Sequence, residues 1–162
     1  MNEQAKRKQN RLKEYDYSTS GAYYITVCTK NRQRFFGKIL YSEDDIYDTP
    51  TLELSKIGEM VETCIETIPK IYPSVVFVQH IVMPDHIHLI LLLDSLRDNG
   101  RQVAAPTISR IISQFKRTSS INAGFNFWQK SFYDHVIRNE KEYQRLMKYI
   151  ELNPIRWANR RL

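Results

Sequence analysis

The chain has 162 residues with a formal net charge of +6, and 42% of its residues are apolar, 26% charged and 12% aromatic. This length and composition suit one globular domain and exclude a low-complexity or repeat protein. The longest apolar run is far shorter than the roughly 20 residues that span a bilayer, and the N-terminus is polar and basic, so a soluble cytoplasmic protein with no membrane partner is expected.

Residues 1–17 are predicted to form a mobile basic arm, and residues 18–162 a single domain. Strands are read from period-two alternation and β-formers, and helices from apolar residues at i, i+3 and i+4. The patterns first predict a strand over 22–29, a turn at 31–32, irregular chain from 35 to about 54, and a helix over 56–72 capped by Ser55. Strands over 75–83 and 86–93 follow, joined by a Pro84-Asp85 turn, and then a polar loop over 94–106. The last predicted elements are a helix over 107–120, a short strand within 127–136, and a helix over 141–152 capped near Asn139. Pro154 is expected to end helical structure at Asn153.

The predicted order is strand, helix, hairpin, helix, strand and helix. A sheet with segregated helices indicates an α+β fold with an antiparallel sheet, not a doubly wound parallel one. The hairpin over 75–93 is expected at the centre of this sheet. The run from Leu89 to Leu93 is continuously apolar, so its strand is predicted to be covered on both faces.

Two histidines stand at the head of that apolar run. His86 and His88 are two apart in a predicted strand, so both imidazoles point to one face, about 6.6 Å apart along the chain. Neutral imidazole suits Zn²⁺, Mn²⁺ or Co²⁺, and two such ligands with one oxygen ligand leave positions open for water and substrate. The alternative is a pair on a solvated face, but a covered strand would require partners for both rings. His80 and His135 are weaker candidates, better read as hydrogen-bonded histidines.

The last predicted helix carries two further candidates. Tyr149 and Asn153 are four apart, so they lie on one helical face, about 6 Å from each other. Asn153 could supply an oxygen ligand and Tyr149 a nucleophile. The alternatives are a packing tyrosine and a helix C-cap before Pro154. Tyr143 points about 120° away from Tyr149 around the helix, so the two tyrosines cannot share one site.

Positive charge is concentrated in the second half of the chain, where residues 97–130 carry six basic side chains against one acidic. Such a surface can recruit a polyanion, although a solvated mixed-charge surface is the alternative. Single strands are held by basic grooves and stacked aromatic rings. The candidates for DNA-binding charge are Arg110, Lys116, Arg117, Lys130 and Arg138. The candidates for stacking, each of which could instead belong to the core, are Tyr23, Phe127, Trp128 and Phe132.

Three blocks of the sequence together resemble one known family. The block from Val82 to Ile90, VMPDHIHLI, is similar to the H-hydrophobe-H signature of the IS200-like single-tyrosine (HUH) transposases. The blocks 128–135 and 149–154, the second reading Tyr-Ile-x-x-Asn-Pro, resemble the REP-associated tyrosine transposase branch. The similarity runs from about residue 23 to 156. Many members of the family have Asn where Asp85 stands.

The resemblance implies a ferredoxin-like or RRM-like sheet with helices on one side and a C-terminal helix that carries the tyrosine. It implies an enzyme that cleaves and transfers single-stranded or hairpin DNA through a 5′-phosphotyrosine, with Tyr149 as nucleophile. His86, His88 and Asn153 would be ligands of a divalent metal, expected to be Mg²⁺ or Mn²⁺. A homodimer is one expectation, because the tyrosine helix of relatives can serve the partner subunit's site. Bound to DNA, the protein would be associated with the nucleoid.

Other functions remain open at the level of sequence. Relatives often continue beyond the Asn-Pro pair, whereas this sequence ends at Leu162. The main alternative is therefore an RRM-like nucleic-acid-binding protein, a domesticated or truncated relative that does not cleave. A third is a metal-dependent hydrolase of small phosphoesters. Asp44, Asp45 and Asp48 could indicate a two-metal nuclease, or simply a solvated acidic loop.

Overall fold

The computed structural model describes residues 20–41, 50–94 and 106–159. Within these ranges the chain forms β1 (Gly21–Cys28), β2 (Gly37–Leu40), β3 (Thr51–Leu54), α1 (Lys56–Ile71), β4 (Val75–Met83), β5 (His86–Leu93), α2 (Ile108–Ala123), β6 (Tyr133–Ile137), α3 (Glu140–Glu151) and α4 (Asn153–Asn159). The predicted arm over 1–17, most of the loop over 94–106 and the acidic residues at 44, 45 and 48 lie outside the described residues.

Four strands form one antiparallel sheet in the order β4-β5-β1-β6. The α+β class and the antiparallel sheet are as predicted, and β4 and β5 have their predicted bounds. The hairpin is only partly central, because β5 lies inside the sheet while β4 forms an edge. The two inner strands, β5 and β1, are therefore the ones that can place side chains at the middle of a sheet face.

The two faces of the sheet are covered by different helices. Alternate residues of β1 and β5, such as Ile25 and Leu89, join the main core with buried residues of α1 and α2. The residues between them, such as Tyr24 and Ile90, form a second cluster with Ile150 of α3. This division follows from the period of two along a strand. Two helices thus share one side, as predicted, and the helix that carries Tyr149 covers the other.

The helix boundaries depend on capping groups that the sequence displays. The predicted caps Ser55 and Asn139 accept hydrogen bonds from the backbone N–H groups of Gly58 (3.1 Å) and Glu142 (2.9 Å). α2 runs three residues past its predicted end, because Gly124, in the left-handed conformation (φ 79°), is what ends it. The hydroxyls near the end of α2 did not stop the helix.

The stretch over 35–54 was predicted to be irregular, and that prediction is wrong. β2 and β3 pair antiparallel there, with Gly37 opposite Leu54. Each strand has only four residues, so a period-two pattern has no room to become distinct. Gly37 is required at this point, since a Cβ on it would lie 2.2 Å from the Glu53 carbonyl oxygen.

Helical structure does not end at Asn153 as predicted. α3 stops at Glu151, and α4 begins immediately at Asn153. Pro154 lies in the first turn of α4, where a helix needs no N–H group from a proline. The chain therefore turns at Leu152 and returns toward the sheet, which adds residues to the site described next. The short strand predicted within 127–136 is β6, which extends one residue past that range, while Trp128 makes an isolated bridge with Thr29.

Candidate active site

The histidine pair lies on the sheet face that α3 covers. β5 begins at His86, directly after the Pro84-Asp85 turn, so His86 and His88 point to the same side as Tyr24 of the neighbouring strand β1. The two rings are only 5% and 4% exposed, and their Nε2 atoms are 3.0 Å apart. The structure thus confirms two predictions: the strand is covered, and both imidazoles lie on the same face.

Each imidazole is held from behind through its Nδ1 atom. His86 Nδ1 lies 2.6 Å from Asp85 Oδ1. His88 Nδ1 lies 2.8 Å from the Tyr24 hydroxyl and 2.8 Å from the Thr26 hydroxyl. In the tautomer in which each Nδ1 carries the proton, both Nε2 atoms are acceptors. Oxygen atoms hold the Nδ1 of ligating histidines in the same way in carboxylate–histidine–metal arrangements.

Asp85 is fixed by a turn with unusual backbone geometry. Its side chain is buried, and its second oxygen accepts from Arg32 Nε at 3.0 Å. Arg32 and Asn31 both have left-handed φ values, 56° and 52°. Residues without the freedom of glycine adopt this conformation at a cost, usually where the surroundings demand it. The turn after β1 therefore accepts strain and brings the Arg32 guanidinium to the Asp85 carboxylate.

The terminal helices bring the tyrosine and the asparagine to the same place. The ring of Tyr149 lies 5.5 Å from that of His88 and 6.4 Å from that of Tyr24, both edge-on. Asn153 is 5% exposed. One cavity of about 420 Å³ brings these groups together, and it is lined by Tyr24, Thr26, Arg32, His86, His88, Tyr133, Leu146, Tyr149 and Asn153. All four residues predicted for catalysis and metal binding thus face one space within a single chain.

The donor set fits a divalent cation, although it is an incomplete one. Among the described residues no group of three His, Cys, Asp or Glu side chains is placed to hold a metal. The third ligand would be Asn153, whose side chain makes none of the hydrogen bonds formed among the described residues despite its burial. The Nε2 atoms of His86 and His88 are 3.0 Å apart, close enough that both could be ligands of one ion.

α4 supplies residues to this site that sequence reasoning missed. The ring of Trp157 lies 5.7 Å from that of His86, and the Arg34 guanidinium lies 5.8 Å from the Trp157 ring. The guanidinium of Arg156 lies 4.9 Å from the centre of the Tyr149 ring. These residues were missed because Pro154 was read as a helix end. Helical spacing continued past it would have placed Arg156, seven residues after the tyrosine, on the same face.

Tyr24 is the other tyrosine that lies close to the histidines. Burial is the main cause that raises the pKa of Tyr24 well above the ordinary value, against a smaller opposing effect of its hydrogen bond with Thr26. Its hydroxyl therefore stays protonated, which suits a hydrogen-bonding partner of His88 and not a nucleophile. Neither Tyr24 nor Thr26 was predicted, because only the pairing of β1 with β5, which sets Thr26 opposite His88, brings them there.

The five predicted DNA-binding residues are divided by the fold. Lys116, Arg117 and Lys130 line a second cavity of about 720 Å³ between α2 and the segment over 126–132. Arg110 is exposed on α2 but does not line that cavity, and Arg138 is exposed beyond the far end of β6. The structure brings together three of the five, and leaves the two others apart.

The remaining candidates have structural roles. Tyr23, Phe127 and Trp128 are buried in the main core, so they are not available for stacking, whereas Phe132 is half-buried beside the second cavity. His80 lies 3.5 Å from the carboxylate of Glu62, and His135 lies 2.7 Å from that of Glu142. Tyr143 packs against the smaller core cluster and does not line the histidine cavity.

Comparison with known proteins agrees with this fold. No family model matches the chain. An uncharacterized protein of Haemophilus influenzae is 30% identical over 177 residues, which cover 96% of this chain and 92% of that protein. A REP-associated tyrosine transposase of Escherichia coli is 32% identical over 76 residues, 47% of this chain and 42% of that protein. A solved structure of a REP-associated tyrosine transposase bound to a REP hairpin superposes with a TM-score of 0.60 at 23% identity, over 90% of this chain and 74% of that one.

Within the described residues, an antiparallel sheet thus presents a histidine pair to a helix that bears a tyrosine. The chain is similar in part of its sequence to a REP-associated tyrosine transposase, and it shares its fold with the solved structure of another. In the parts of the chain that the structure describes, no helix has the length and apolar character needed to cross a membrane.

Proposed function

We propose that the protein is a metal-dependent DNA strand transferase that cleaves single-stranded or hairpin DNA through a covalent bond to Tyr149. The observation that carries this proposal is the convergence of Tyr149 and the histidine pair: the rings of Tyr149 and His88 are 5.5 Å apart and face one cavity with His86 and Asn153. A packing tyrosine would not need two buried imidazoles beside it whose Nε2 atoms lie 3.0 Å apart.

The cleavage step exchanges one phosphodiester for another. The phenolic oxygen of Tyr149 forms a bond to phosphorus, and the bond from phosphorus to the 3′-oxygen of the preceding nucleotide breaks. The 3′-oxygen leaves as a hydroxyl, with the proton that the phenol gives up. Because the 5′-phosphotyrosine is itself a phosphodiester, a 3′-hydroxyl can attack it and rejoin the strand. No nucleotide fuel is needed, and the sequence has no G-x-x-x-x-G-K-[ST] loop.

The residues around the tyrosine are suited to this step. The Arg156 guanidinium, 4.9 Å from the ring centre, favours the negative charge that develops on the phenol. Packing of Tyr149 against the rings of His88 and Tyr24 fixes its orientation, so a bound phosphate would meet the hydroxyl at a defined position. Arg32, which also lines the cavity, adds a second positive charge.

His86, His88 and Asn153 are the residues that would hold the metal ion. When bound, a divalent ion supplies electrostatic stabilisation to the charge that builds on the non-bridging phosphate oxygens. Asp85 orients His86, and the hydroxyls of β1 orient His88, so the protein itself fixes the positions of both rings. We propose Mn²⁺ or Mg²⁺, and two imidazole ligands favour Mn²⁺ of the two.

The proposed partner is DNA with a single-stranded segment, including hairpin DNA of the kind bound by the solved relative. The convergence of all four groups lies within one chain, which supports action of Tyr149 on the site of its own subunit. This arrangement does not require the homodimer that the family resemblance allows. The site we propose is therefore complete within one subunit.

The test is formation of a covalent protein–DNA adduct. The protein is incubated with Mn²⁺ and a labelled hairpin with single-stranded flanks, and denaturing gels separate the adduct. Tyr149→Phe should abolish it. Tyr143→Phe is the matched control, because it removes a hydroxyl from the same helix outside the cavity, and it should leave the adduct unchanged. An undiminished adduct in Tyr149→Phe would refute the assignment.

The two alternatives give different outcomes in the same assay. A protein that only binds nucleic acid would form no adduct with any DNA, and its binding would be indifferent to chelator and to Tyr149→Phe. A hydrolase of small phosphoesters would cleave a chromogenic phosphodiester, and unlabelled DNA would not compete. Competition by unlabelled DNA together with loss of the adduct in EDTA is the result that the strand-transferase proposal expects.

A further inference from the structure

We infer a second nucleic-acid site: the groove between α2 and the segment over 126–132 holds the backbone of the single-stranded DNA that flanks the cleaved phosphate. We call it the α2 groove, lined by Ser113, Lys116, Arg117, Ser120, Lys130 and Phe132 among others. It is separate from the histidine cavity, which none of these residues lines. The inference rests on the proposed function for the identity of its ligand, and it adds where the uncleaved part of that ligand lies.

The lining of the α2 groove is that of an anion site. Three of its residues, Lys116, Arg117 and Lys130, are cations, and none of the eleven described residues that line it is acidic. The whole chain carries 18 acidic residues against 24 basic ones. The absence of carboxylates from the lining of the groove is therefore a local feature that the overall composition does not explain. The volume of about 720 Å³ exceeds what a single phosphate ion fills.

One face of α2 is built for close approach of a polar chain. Ser109, Ser113 and Ser120 share the groove-facing side with Lys116 and Arg117, at the spacings that place residues on one helical face. Short hydroxyl side chains leave room for a backbone to lie against the helix, and they can donate to phosphate oxygens. The opposite face of α2 is buried in the main core.

Lys116 fixes the width of the groove. Its ammonium group donates to the backbone carbonyls of Gln129 (2.5 Å) and Ser131 (3.4 Å), which ties the helix to the opposite wall. Burial lowers the pKa of Lys116, a sign that its charge is partly removed from water. A phosphate that enters beside such a charge interacts with it more strongly than it would at an open surface.

The α2 groove and the histidine cavity lie on opposite faces of the sheet, and both reach its β6 edge. Phe132 lines the groove, and the next residue, Tyr133, lines the cavity. A second link runs through Cys28, whose carbonyl accepts from the Gln129 N–H at 2.9 Å and whose sulfur lies 2.7 Å from the Arg32 guanidinium. A strand that leaves the cavity past Tyr133 would pass around the β6 edge to reach the groove.

The ligand that fits these features is a single strand. The walls offer cations and hydroxyls for phosphates, and the half-buried ring of Phe132 offers one surface on which a base can stack. The groove and the cavity in which Tyr149 would attack lie on either side of the β6 edge of the sheet. The occupant that we infer is thus the nucleotides on one side of the cleavage position.

The experiment measures DNA binding without cleavage. Fluorescence anisotropy is recorded in EDTA with Tyr149→Phe as the parent protein, and with oligonucleotides that carry a 5′ flank, a 3′ flank or no flank beyond the cleavage position. Arg117→Ala with Lys130→Ala is the test variant, and Arg110→Ala is the matched control, a cation on the same helix outside the groove. Circular dichroism melting confirms that each variant folds.

The double variant should bind one of the two flanked oligonucleotides about tenfold more weakly, with little change for the unflanked one. Each phosphate contact to a single strand contributes about 0.7 to the slope of log K against log salt, so the slope should fall by about 1.4. Arg110→Ala should change neither quantity. Lys130→Arg, which keeps the charge, should restore most of the affinity that Lys130→Ala loses.

Unchanged affinity and salt slope in the double variant would overturn the groove, and so would an equal loss for flanked and unflanked DNA. Tighter binding of an RNA flank of the same sequence would overturn the assignment to DNA. The proposed function is judged separately by the Tyr149 adduct. If the adduct forms but the groove variants bind DNA normally, the cleavage proposal holds and the groove proposal fails. If the groove variants lose affinity but no adduct forms, the groove proposal holds and the cleavage proposal fails.

Discussion

The Nε2 atoms of His86 and His88 face each other across 3.0 Å, while partners behind the rings hold both Nδ1 atoms. Two lone pairs at this distance repel each other unless a cation or a proton lies between them. The strand thus fixes two ligands in a geometry that becomes favourable when a positive ion is present. Metal affinity is for this reason a property of the folded site that can be measured without DNA.

Mn²⁺ is expected to stabilise the protein against unfolding. A ligand that binds only the folded state, at about 100 times its dissociation constant, adds about 2.7 kcal/mol to the free energy of unfolding. Thermal melting with Mn²⁺ and with EDTA should differ by several degrees. The difference should disappear in His88→Ala and persist in His135→Ala, whose ring lies beside Glu142 and away from the cavity. A shift that survives His88→Ala would place the ion elsewhere.

Asp85 is expected to control metal affinity through the orientation of His86. Partners behind a ligating histidine are typically worth 10–100-fold in metal affinity. Asp85→Ala removes the acceptor at 2.6 Å and should weaken Mn²⁺ binding in calorimetry by about that factor. Asp85→Asn keeps an acceptor for the His86 ring but loses the ion pair with Arg32, so its Mn²⁺ affinity should fall between those of the wild type and Asp85→Ala. Wild-type affinity in Asp85→Ala would contradict this role.

The two hydroxyls behind His88 are expected to substitute for each other. Tyr24 and Thr26 both lie 2.8 Å from His88 Nδ1, and one acceptor suffices for one N–H. Tyr24→Phe and Thr26→Val should each change Mn²⁺ affinity by less than about threefold, whereas the double variant should lose about tenfold or more. Calorimetry on the wild type, the two single variants and the double variant gives the coupling free energy between the two hydroxyls for Mn²⁺ binding. Strictly additive effects would show that the hydroxyls act independently.

Glu142 is expected to stabilise the start of the tyrosine helix in a pH-dependent way. Its carboxylate accepts from the Arg138 N–H (3.0 Å) and from the His135 ring (2.7 Å), and the first of these is the main cause that lowers the pKa of Glu142. A carboxyl with a lowered pKa contributes its stability above the unfolded value, near 4.3, and loses it as the pH falls through the folded value.

Glu142→Gln should therefore lower the free energy of unfolding by about 1 kcal/mol at pH 7, typical of a lost helix-start interaction. Urea titrations should show this difference shrinking as the pH falls below about 4. Glu140→Gln is the control, since that exposed carboxylate accepts from the Gln144 side chain on the same helix. A difference that is the same at pH 7 and pH 3 would mean that the carboxylate charge is not responsible.

Local patterns in the sequence account for much of the fold. β4 and β5 have the bounds that alternation and the Pro84-Asp85 turn predict, and the caps Ser55 and Asn139 begin their helices. These elements are long or carry a capping group, so the information lies within a few residues. The hairpin of β2 and β3 could not be read this way, because its strands are short and their pairing is what defines them.

The candidate site likewise has one part that local sequence patterns predict and another part that they do not. The common face of His86 and His88 follows from the strand period, and that of Tyr149 and Asn153 from the helix period. The residues behind the histidines depend on register between strands 62 positions apart, as for Thr26 and His88. Similarly, Arg138 was grouped with Lys116 by charge alone, yet β6 carries it away from the groove.

The central claim is that Tyr149 is the residue to which DNA becomes attached, although Tyr24 and Tyr133 line the same cavity. Mass spectrometry of the digested protein–DNA adduct identifies the modified peptide directly. The account predicts a 5′-phosphonucleotide on Tyr149 and on no other tyrosine, in a reaction that requires Mn²⁺. A modification on Tyr24 or Tyr133, or the same adduct in EDTA, would contradict it.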